Sequence, residues 1–491
     1  MSANAPGAAG NGSRTQRRFL YQHISEQVLS QIRSGTLRVG ERLPSVRKMS
    51  RYFGCSVNTV IQSYRHLEAE GYVRARPQSG FYVRAASLGK SADQNAPRFP
   101  LLPVEVSLSE EIYHYMNMRS DGRRVNLGVA LPSRRLMPVR RLQRTMADVV
   151  QENPDRAWGY THIVGFAPLL QQLAQRTLTY DVPAGVNDIV VTNGTMEALT
   201  LAIRAVSRPG DAIAVESPTY YGSLLMLEAH GRRVIEIPTD ERTGIRLDSL
   251  EKSFRSGRVT ACLFSANAQN PLGFVMPEAA KREIVRLSAR YSVPLIENDV
   301  WGDTVYEPAT DSGRPTPAKA YDERGLVLYC NSFSKTLSPG LRLGWCIPGR
   351  FQKRVQELKQ LSTICAASAS QLTVGQFLEN GLYDLHVLDL RRGLRDQTAD
   401  YIETVRRHFP TGTEIVSPDG GCALWIRLPA GGDYTGFFRR ASEANILIFP
   451  GRAFSADERY RNCLRISTGA PLSTPQQKAI ETLGRLVGES L

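Results

Sequence analysis

The sequence predicts a multidomain chain in which a small α+β module precedes a large α/β domain. Three observations carry that prediction. The first is size: 491 residues allow two to four domains at roughly 100–200 residues each, and 42% hydrophobic with 22% charged residues is ordinary for globular chains. The second is where the charge lies. Of a formal net charge of +14, residues 1–84 hold 13 Lys/Arg against 4 Asp/Glu, so +9 falls in about a sixth of the chain. A polyanionic partner met at the N-terminus is implied, although basic charge alone does not separate nucleic acid from a membrane surface. The third is the pattern from about residue 125 onward, where short apolar strands alternate with helical stretches. That alternation is the mark of a mostly parallel sheet.

Several classes are set aside at once. The seven cysteines (55, 262, 330, 346, 365, 422, 463) are scattered with no CxxC, and the seven histidines show no HExxH spacing, so neither a disulfide framework nor a metal site is expected. The segment MSANAPGAAGNGSRTQRR has no apolar centre that could act as a signal peptide. Nowhere do about 18 apolar residues run together, so a soluble cytoplasmic protein without membrane contact is expected.

In chain order, residues 1–16 are rich in Gly, Ala, Asn and Ser and read as a flexible tail. Phe19, Ile24, Val28 and Ile32 then recur at helical spacing, with Gly35 where a C-cap falls. A second helix follows Pro44-Ser45, with Val46, Met49 and Phe53 on one face, and ends at Gly54. A third starts at Ser56, an N-cap residue, and runs towards Ala69. Val57, Val60, Tyr64 and Leu67 make its apolar stripe, and Asn58, Gln62 and Arg65 its polar one. Two short helices broken at a glycine make a helix-turn-helix, whose second helix can enter a major groove. Tyr72-Val73-Arg74 and Phe81-Tyr82-Val83 flank Pro77-Gln78-Ser79-Gly80 as a hairpin, or wing, bearing Arg74 and Arg76. The amide and guanidinium groups of the polar stripe suit base edges, while Arg47 and the wing arginines suit phosphates.

The stretch RLPSVRKMSRYFGCSVNTVIQSYRHLEAEGYV…SGFYV closely resembles the GntR-type winged helix over residues 17–84. That resemblance implies contacts to double-stranded DNA from Arg47, Ser56, Asn58, Thr59 and the wing around Ser79 and Gly80. Val57 stands where the family often has Arg, so base preference does not carry over.

Residues 85–124 read as a linker and a lead-in helix, the former with three prolines and the latter over Ser109–Met118. The α/β domain is expected over 125–491. Its strands are predicted at Ile189–Val191, Ala212–Val215, Arg233–Ile237, Ala261–Phe264, Pro294–Glu297 and Leu326–Cys330, with a helix over Met196–Val206. Ligands of such sheets bind beyond the strand C-termini, and five loops there carry chemistry. Thr192-Asn193-Gly194-Thr195-Met196 opens a helix whose N–H groups suit phosphate. Pro218-Thr219-Tyr220-Tyr221-Gly222 sets an aromatic at a strand end, and Asn270-Pro271-Leu272-Gly273 is a turn by composition. Ile296-Glu297-Asn298-Asp299 ends an apolar strand in polar groups. Ser332-Phe333-Ser334-Lys335 places a lysine at the end of a buried strand, where a lowered pKa makes an amine nucleophilic, with Arg342 seven residues on.

In this order and spacing the loops resemble the fold-type-I aminotransferases, which depend on pyridoxal 5′-phosphate (PLP), with a smaller α+β subdomain at the C-terminus. The resemblance implies a Schiff base at Lys335, the catalytic lysine. It implies phosphate contacts from Gly194, Thr195, Ser332 and Arg342, a ring stacked on Tyr220, and a hydrogen bond from Asn270 to the phenolic oxygen. Arg465, in RNCLRIS, is implied as a clamp on a ligand carboxylate, and Asn126-Leu127-Gly128 as the substrate-side entry segment. Tyr160, in GYTHIVG, is similar to the tyrosine that reaches a neighbour's phosphate across a dimer interface.

The family usually sets an Asp beneath the pyridine nitrogen, and here Asn298 occupies that slot with Asp299 one residue on. Successive strand side chains point to opposite faces, so only one of the two can aim at the nitrogen. If Asn298 takes the place, transamination is weakened while aldimine formation at Lys335 survives.

A GntR-type winged helix joined to an aminotransferase-like domain is the layout of the MocR-type regulators. That resemblance implies a head-to-tail homodimer that binds an operator and senses an amino acid, a related amine or PLP. The alternative is a competent aminotransferase with an appended DNA-binding domain.

Overall fold

The computed structural model describes residues 21, 24, 25, 27, 28, 31, 37, 41–69, 73–76, 80–83, 101–108, 112, 113, 124–307, 313–457 and 459–491. The chain divides into two compact units, residues 1–96 and 97–491.

In the first unit, Ser45 caps α1 (Val46–Tyr52) by accepting a hydrogen bond from the Lys48 N–H at 3.3 Å. The helix stops at Gly54, whose φ of 59° is the left-handed region that glycine adopts without strain. Ser56 then caps α2 (Val57–Ala69), accepting from the Thr59 N–H at 3.2 Å. β1 (Val73–Arg76) pairs antiparallel with β2 (Gly80–Val83), Val73 opposite Val83 and Arg76 opposite Gly80. Ile24, Val28, Met49, Val60, Tyr64, Leu67, Val73 and Val83 are buried together as the core. One apolar-stripe expectation is corrected: Val57 is 38% exposed, while Val60, Tyr64 and Leu67 enter that core. Phe19, Ile32, Gly35 and the wing turn Pro77-Gln78-Ser79 lie outside the described residues.

In the second unit the C-terminal part of the expected linker and lead-in helix touches the domain it precedes. Val104 pairs with Val234, and Val106, Leu108 and Ile112 are buried in the main core. A short β3 (Val125–Asn126) follows. The main sheet has eight strands: β4 (Val190–Thr192), β5 (Ala212–Ser217), β6 (Arg233–Asp240), β7 (Gly244–Ile245), β8 (Val259–Phe264), β9 (Leu295–Asn298), β10 (Val327–Ser332) and β11 (Gly344–Ile347). Their order is β4-β11-β10-β9-β8-β5-β6-β7. The centre is parallel, while β11 is antiparallel to both β10 and β4, and β7 is antiparallel to β6. Strands such as AIAVES and VLYCNS are buried at every position, as expected where helices cover both faces.

The 27-residue helix α4 (Leu382–His408) leads to a smaller subdomain; α3 (Thr195–Val206) opens from β4. That subdomain holds β12 (Glu414–Val416), β13 (Ala423–Arg427), β15 (Phe449–Pro450) and β16 (Cys463–Ser467), in the order β12-β13-β16-β15. β14 (Ile446–Leu447) pairs in parallel with β3, which draws residues 125–128 to the foot of this sheet.

Candidate functional site

The C-terminal ends of β4, β5, β8, β9 and β10 converge on one cavity of about 240 Å³. Thr195, Tyr220, Asn270, Asn298, Ser332, Lys335, Arg342 and Arg465 all line it, so eight of the expected cofactor and ligand residues come together.

At one end, Gly194 (φ 81°) precedes the first turn of α3, and Arg342 passes so close that a Cβ on Gly194 would stand 2.8 Å from its Nη2. Arg342 is fixed there by donating to the Asn193 carbonyl at 2.9 Å. Thr195 Oγ1 is buried and, among the described residues, has no hydrogen-bond partner. Helix N–H groups, a guanidinium and an unused hydroxyl brought together in this way have the chemistry that suits a phosphate. Ser332, buried at the end of β10, lines the same cavity.

Lys335 follows β10 with its Nζ donating to the Ala130 carbonyl at 2.9 Å and lying 4.9 Å from the Trp301 ring centroid. Opposite, Arg465 is 1% exposed and donates to Asn270 Oδ1 at 3.2 Å and to the Gly128 carbonyl. Gly128 is packed closely, since a Cβ there would stand 3.1 Å from the Phe449 ring. Phe449, Phe454 and Tyr221 surround the guanidinium at 5.0–5.7 Å, and burial pulls its pKa down. Among the described residues Arg465 Nε is buried without a hydrogen-bond partner, and the titratable groups that act on its charge are Tyr221, Tyr220 and Cys422, with no carboxylate among them. A buried cation without a counter-charge is costly, and an anion placed beside it would offset that cost.

The parity of β9 separates Asn298 from Asp299. Asn298 faces the cavity, and its Oδ1 is buried with no partner. Asp299 is corrected as a cavity residue. It is fully buried on the other side, accepting from Asn267 Nδ2 at 2.9 Å, Tyr329 Oη at 2.8 Å and the guanidinium of Arg314. Arg314 also meets Asp303 at 3.4 Å, and Asp303 meets Arg176 at 3.2 Å. The Asp299 carboxylate is therefore part of a buried ion-pair network behind the cavity wall.

Tyr160 lies outside the cavity at 86% exposure, next to Trp158 at 79%. Two groups of residues had no motif to mark them. Trp301 and Val300 complete the wall after Asn298-Asp299, and an aromatic just past a strand end was the available signal. Glu216 and Gln269 tie the loops together: Gln269 Nε2 donates to Glu216 Oε1 at 3.0 Å and to the Pro218 carbonyl at 2.8 Å, and its Oε1 accepts from the Leu272 N–H at 2.8 Å. Glu216 also accepts from the Ser265 N–H at 3.2 Å, and burial pushes its carboxyl up to about 8.

On the first unit, Arg47, Ser56, Asn58, Gln62, Arg65 and Arg74 are exposed. Lys48 and Arg51 join Arg47 on the open face of α1. Gly80 (φ 109°) gives room to the Arg42 guanidinium, 3.2 Å from where a Cβ would stand. Thr59, which the resemblance implies as a DNA contact, is 8% exposed, with its hydroxyl 2.8 Å from Ser56 Oγ. The Arg76 side chain and Ser79 lie outside the described residues.

Residues 131–481 match the family described as aminotransferase class I and II, and residues 20–83 match bacterial regulatory proteins of the gntR family. The chain is 35% identical over 470 residues to an uncharacterized HTH-type transcriptional regulator of Escherichia coli (strain K12), YjiR, covering 95% of this chain and 98% of that protein. The solved multiple substrate aminotransferase of Thermococcus profundus is similar with a TM-score of 0.72 at 25% identity, over 82% of this chain and 96% of that one. A Pyrococcus horikoshii kynurenine aminotransferase, solved in complex with PMP, has a TM-score of 0.71 at 26% identity, over 78% and 95%. Among the described residues no helix is long and apolar enough to cross a membrane.

Proposed function

This chain belongs to the GntR-family transcriptional regulators of the MocR type, a winged helix-turn-helix fused to an aminotransferase class I/II domain, and we propose that its large domain senses an amino acid, amine or PLP at Lys335. The aminotransferase fold implies PLP dependence, and the residues present fit that group. Thr195 Oγ1 and Asn298 Oδ1 are buried acceptors or donors left unused, and Gly194 leaves an approach that a Cβ would close. Gly194, Thr195, Ser332 and Arg342 would hold the phosphate, Tyr220 and Asn270 the ring, and Lys335 the aldehyde end. Bound there, PLP supplies an aldehyde that condenses reversibly with primary amines.

What this chain's residues then do is hold and orient. Arg465 offers a guanidinium to a ligand carboxylate. Asn298 presents a neutral amide where a carboxylate would keep the ring nitrogen protonated, which supports sensing over turnover. Tyr160 reaches the phosphate site of a second copy in a head-to-tail homodimer, consistent with its exposure beside Trp158. A ligand moves the DNA-binding modules only if it binds one arrangement of the dimer better than the other. The observation that carries the proposal is the convergence of Lys335, Arg465, Thr195 and Asn298 on one cavity in a chain that also has an exposed polar stripe on α2.

The test is the visible absorption spectrum of the purified protein with PLP, beside Lys335→Ala. The wild type is expected to show the visible band of lysine-bound PLP, lost or shifted in the variant. Absence of the band from both overturns the proposal. Steady turnover of an amino acid with a keto acid would favour the enzyme alternative.

A further inference from the structure

We propose that the ligand read in this cavity is an amino acid with one carboxylate and an uncharged, apolar side chain; this rests on Lys335 being the PLP lysine. The charged side chains lining the cavity are Lys335, Arg342 and Arg465, and among the described residues no Asp or Glu lines it. Two of the three cations are already committed. Lys335 faces the aldehyde end, and Arg342 is tied to the Asn193 carbonyl beside Gly194, at the phosphate end.

Among the described residues Arg465 is then the single cation left for the ligand, buried with its Nε unpartnered. One carboxylate satisfies it. A second carboxylate finds no cation, and a side-chain ammonium finds no anion, so either would be buried unpaired. An amine without a carboxylate leaves the guanidinium as it was and gains nothing from it.

The remaining wall says what the side chain should be. Gly128 accepts from Arg465 and Ala130 accepts from Lys335, so a ligand spanning guanidinium and amine runs along Val129-Ala130. Val129, Leu131, Val300 and Trp301 line the same cavity and offer apolar surface, Trp301 with its ring 4.9 Å from Lys335 Nζ. Apolar side chains gain there by burial, and charged ones lose hydration without replacement.

The full-length protein loaded with PLP is titrated with leucine, methionine and phenylalanine, then with glutamate, aspartate, lysine and n-butylamine, following the visible band. The apolar amino acids are expected to half-saturate the change at concentrations roughly tenfold to a hundredfold lower than the charged ones or the amine. Glutamate, aspartate or lysine acting at equal or lower concentration overturns the inference, and would point to a charge brought over the cavity by the second subunit. A normal band that none of the apolar amino acids changes overturns it alone. A band that is absent, or identical in Lys335→Ala, overturns the PLP assignment and this inference with it.

Discussion

The DNA-reading face and the cavity of this chain are built in opposite ways. On α1 and α2 the side chains proposed to meet DNA, Arg47, Asn58, Gln62 and Arg65, are exposed, and the core is held by other residues of the same helices. In the cavity, Asn298, Ser332 and Arg465 are themselves buried, and their orientation depends on residues behind them. Substitutions on the first surface should therefore change binding without changing stability. Substitutions around the second should change both, and how far the two separate measures how much of the site is support.

The sharpest case is the network behind Asn298. Arg314→Ala leaves Asp299 buried without its guanidinium and removes one of the two that hold Asp303. Breaking a buried pair from one side costs about 3–5 kcal/mol. Urea unfolding should show that loss, and a change under 1 kcal/mol would mean the network relaxes around water. Arg465→Ala should lie nearer the boundary. The visible band should remain, while affinity for carboxylate ligands falls about a hundredfold. Unchanged ligand affinity would remove the clamp.

Glu216 adds a pH dependence to the stability of the large unit. Its folded-state carboxyl is raised by burial to about 8, from the usual 4.5. Between those values the folded chain holds a proton that the unfolded chain has lost. Stability from Glu216 is thus full below pH 4.5 and is lost as pH rises through 8. The slope is about 1.4 kcal/mol per pH unit for one proton. Glu216→Gln removes that proton, so the difference in unfolding free energy between wild type and variant should fall from pH 5 to pH 7.5. Taking the difference cancels Glu297 and Lys281, which burial also moves, to about 7 and about 8. Parallel pH curves would show that Glu216 is ionised in the folded state.

Legibility followed the same division. The five loops could be read because each sits just past an apolar run, and the parity of a strand was enough to say that Asn298 and Asp299 must part. It could not say which way, since that depends on Arg314, Tyr329 and Asn267, whose sequence neighbourhoods give no hint of Asp299. Glu216 and Gln269 were invisible for the same reason: a buried polar pair is defined by its partners across the sheet. β11 escaped because GWCI is short and its neighbours are antiparallel to it. On α2 the helix is plain from its period, but Val57 falls outside the core that the rest of its apolar stripe enters, because the Ser56 cap and the core of the module set the helix's rotation and not its apolar period alone.

That first turn yields the smallest and cleanest test. Asn58 and Thr59 are adjacent, one exposed and one buried. Asn58→Ala should leave the melting temperature unchanged and relax preference at one or two base positions, by about 1–3 kcal/mol in a substitution scan of the operator. Thr59→Ala should do the reverse, losing about 1 kcal/mol of stability through the Ser56 contact while keeping the base profile. Arg47→Ala calibrates both, since a phosphate contact should weaken binding on every sequence and reduce the salt slope by about 1. If Thr59→Ala changes the base profile and Asn58→Ala does not, the reading face of α2 is rotated from the one its exposed side chains mark out. If Arg47→Ala leaves the salt slope unchanged, α1 does not lie on the backbone at all.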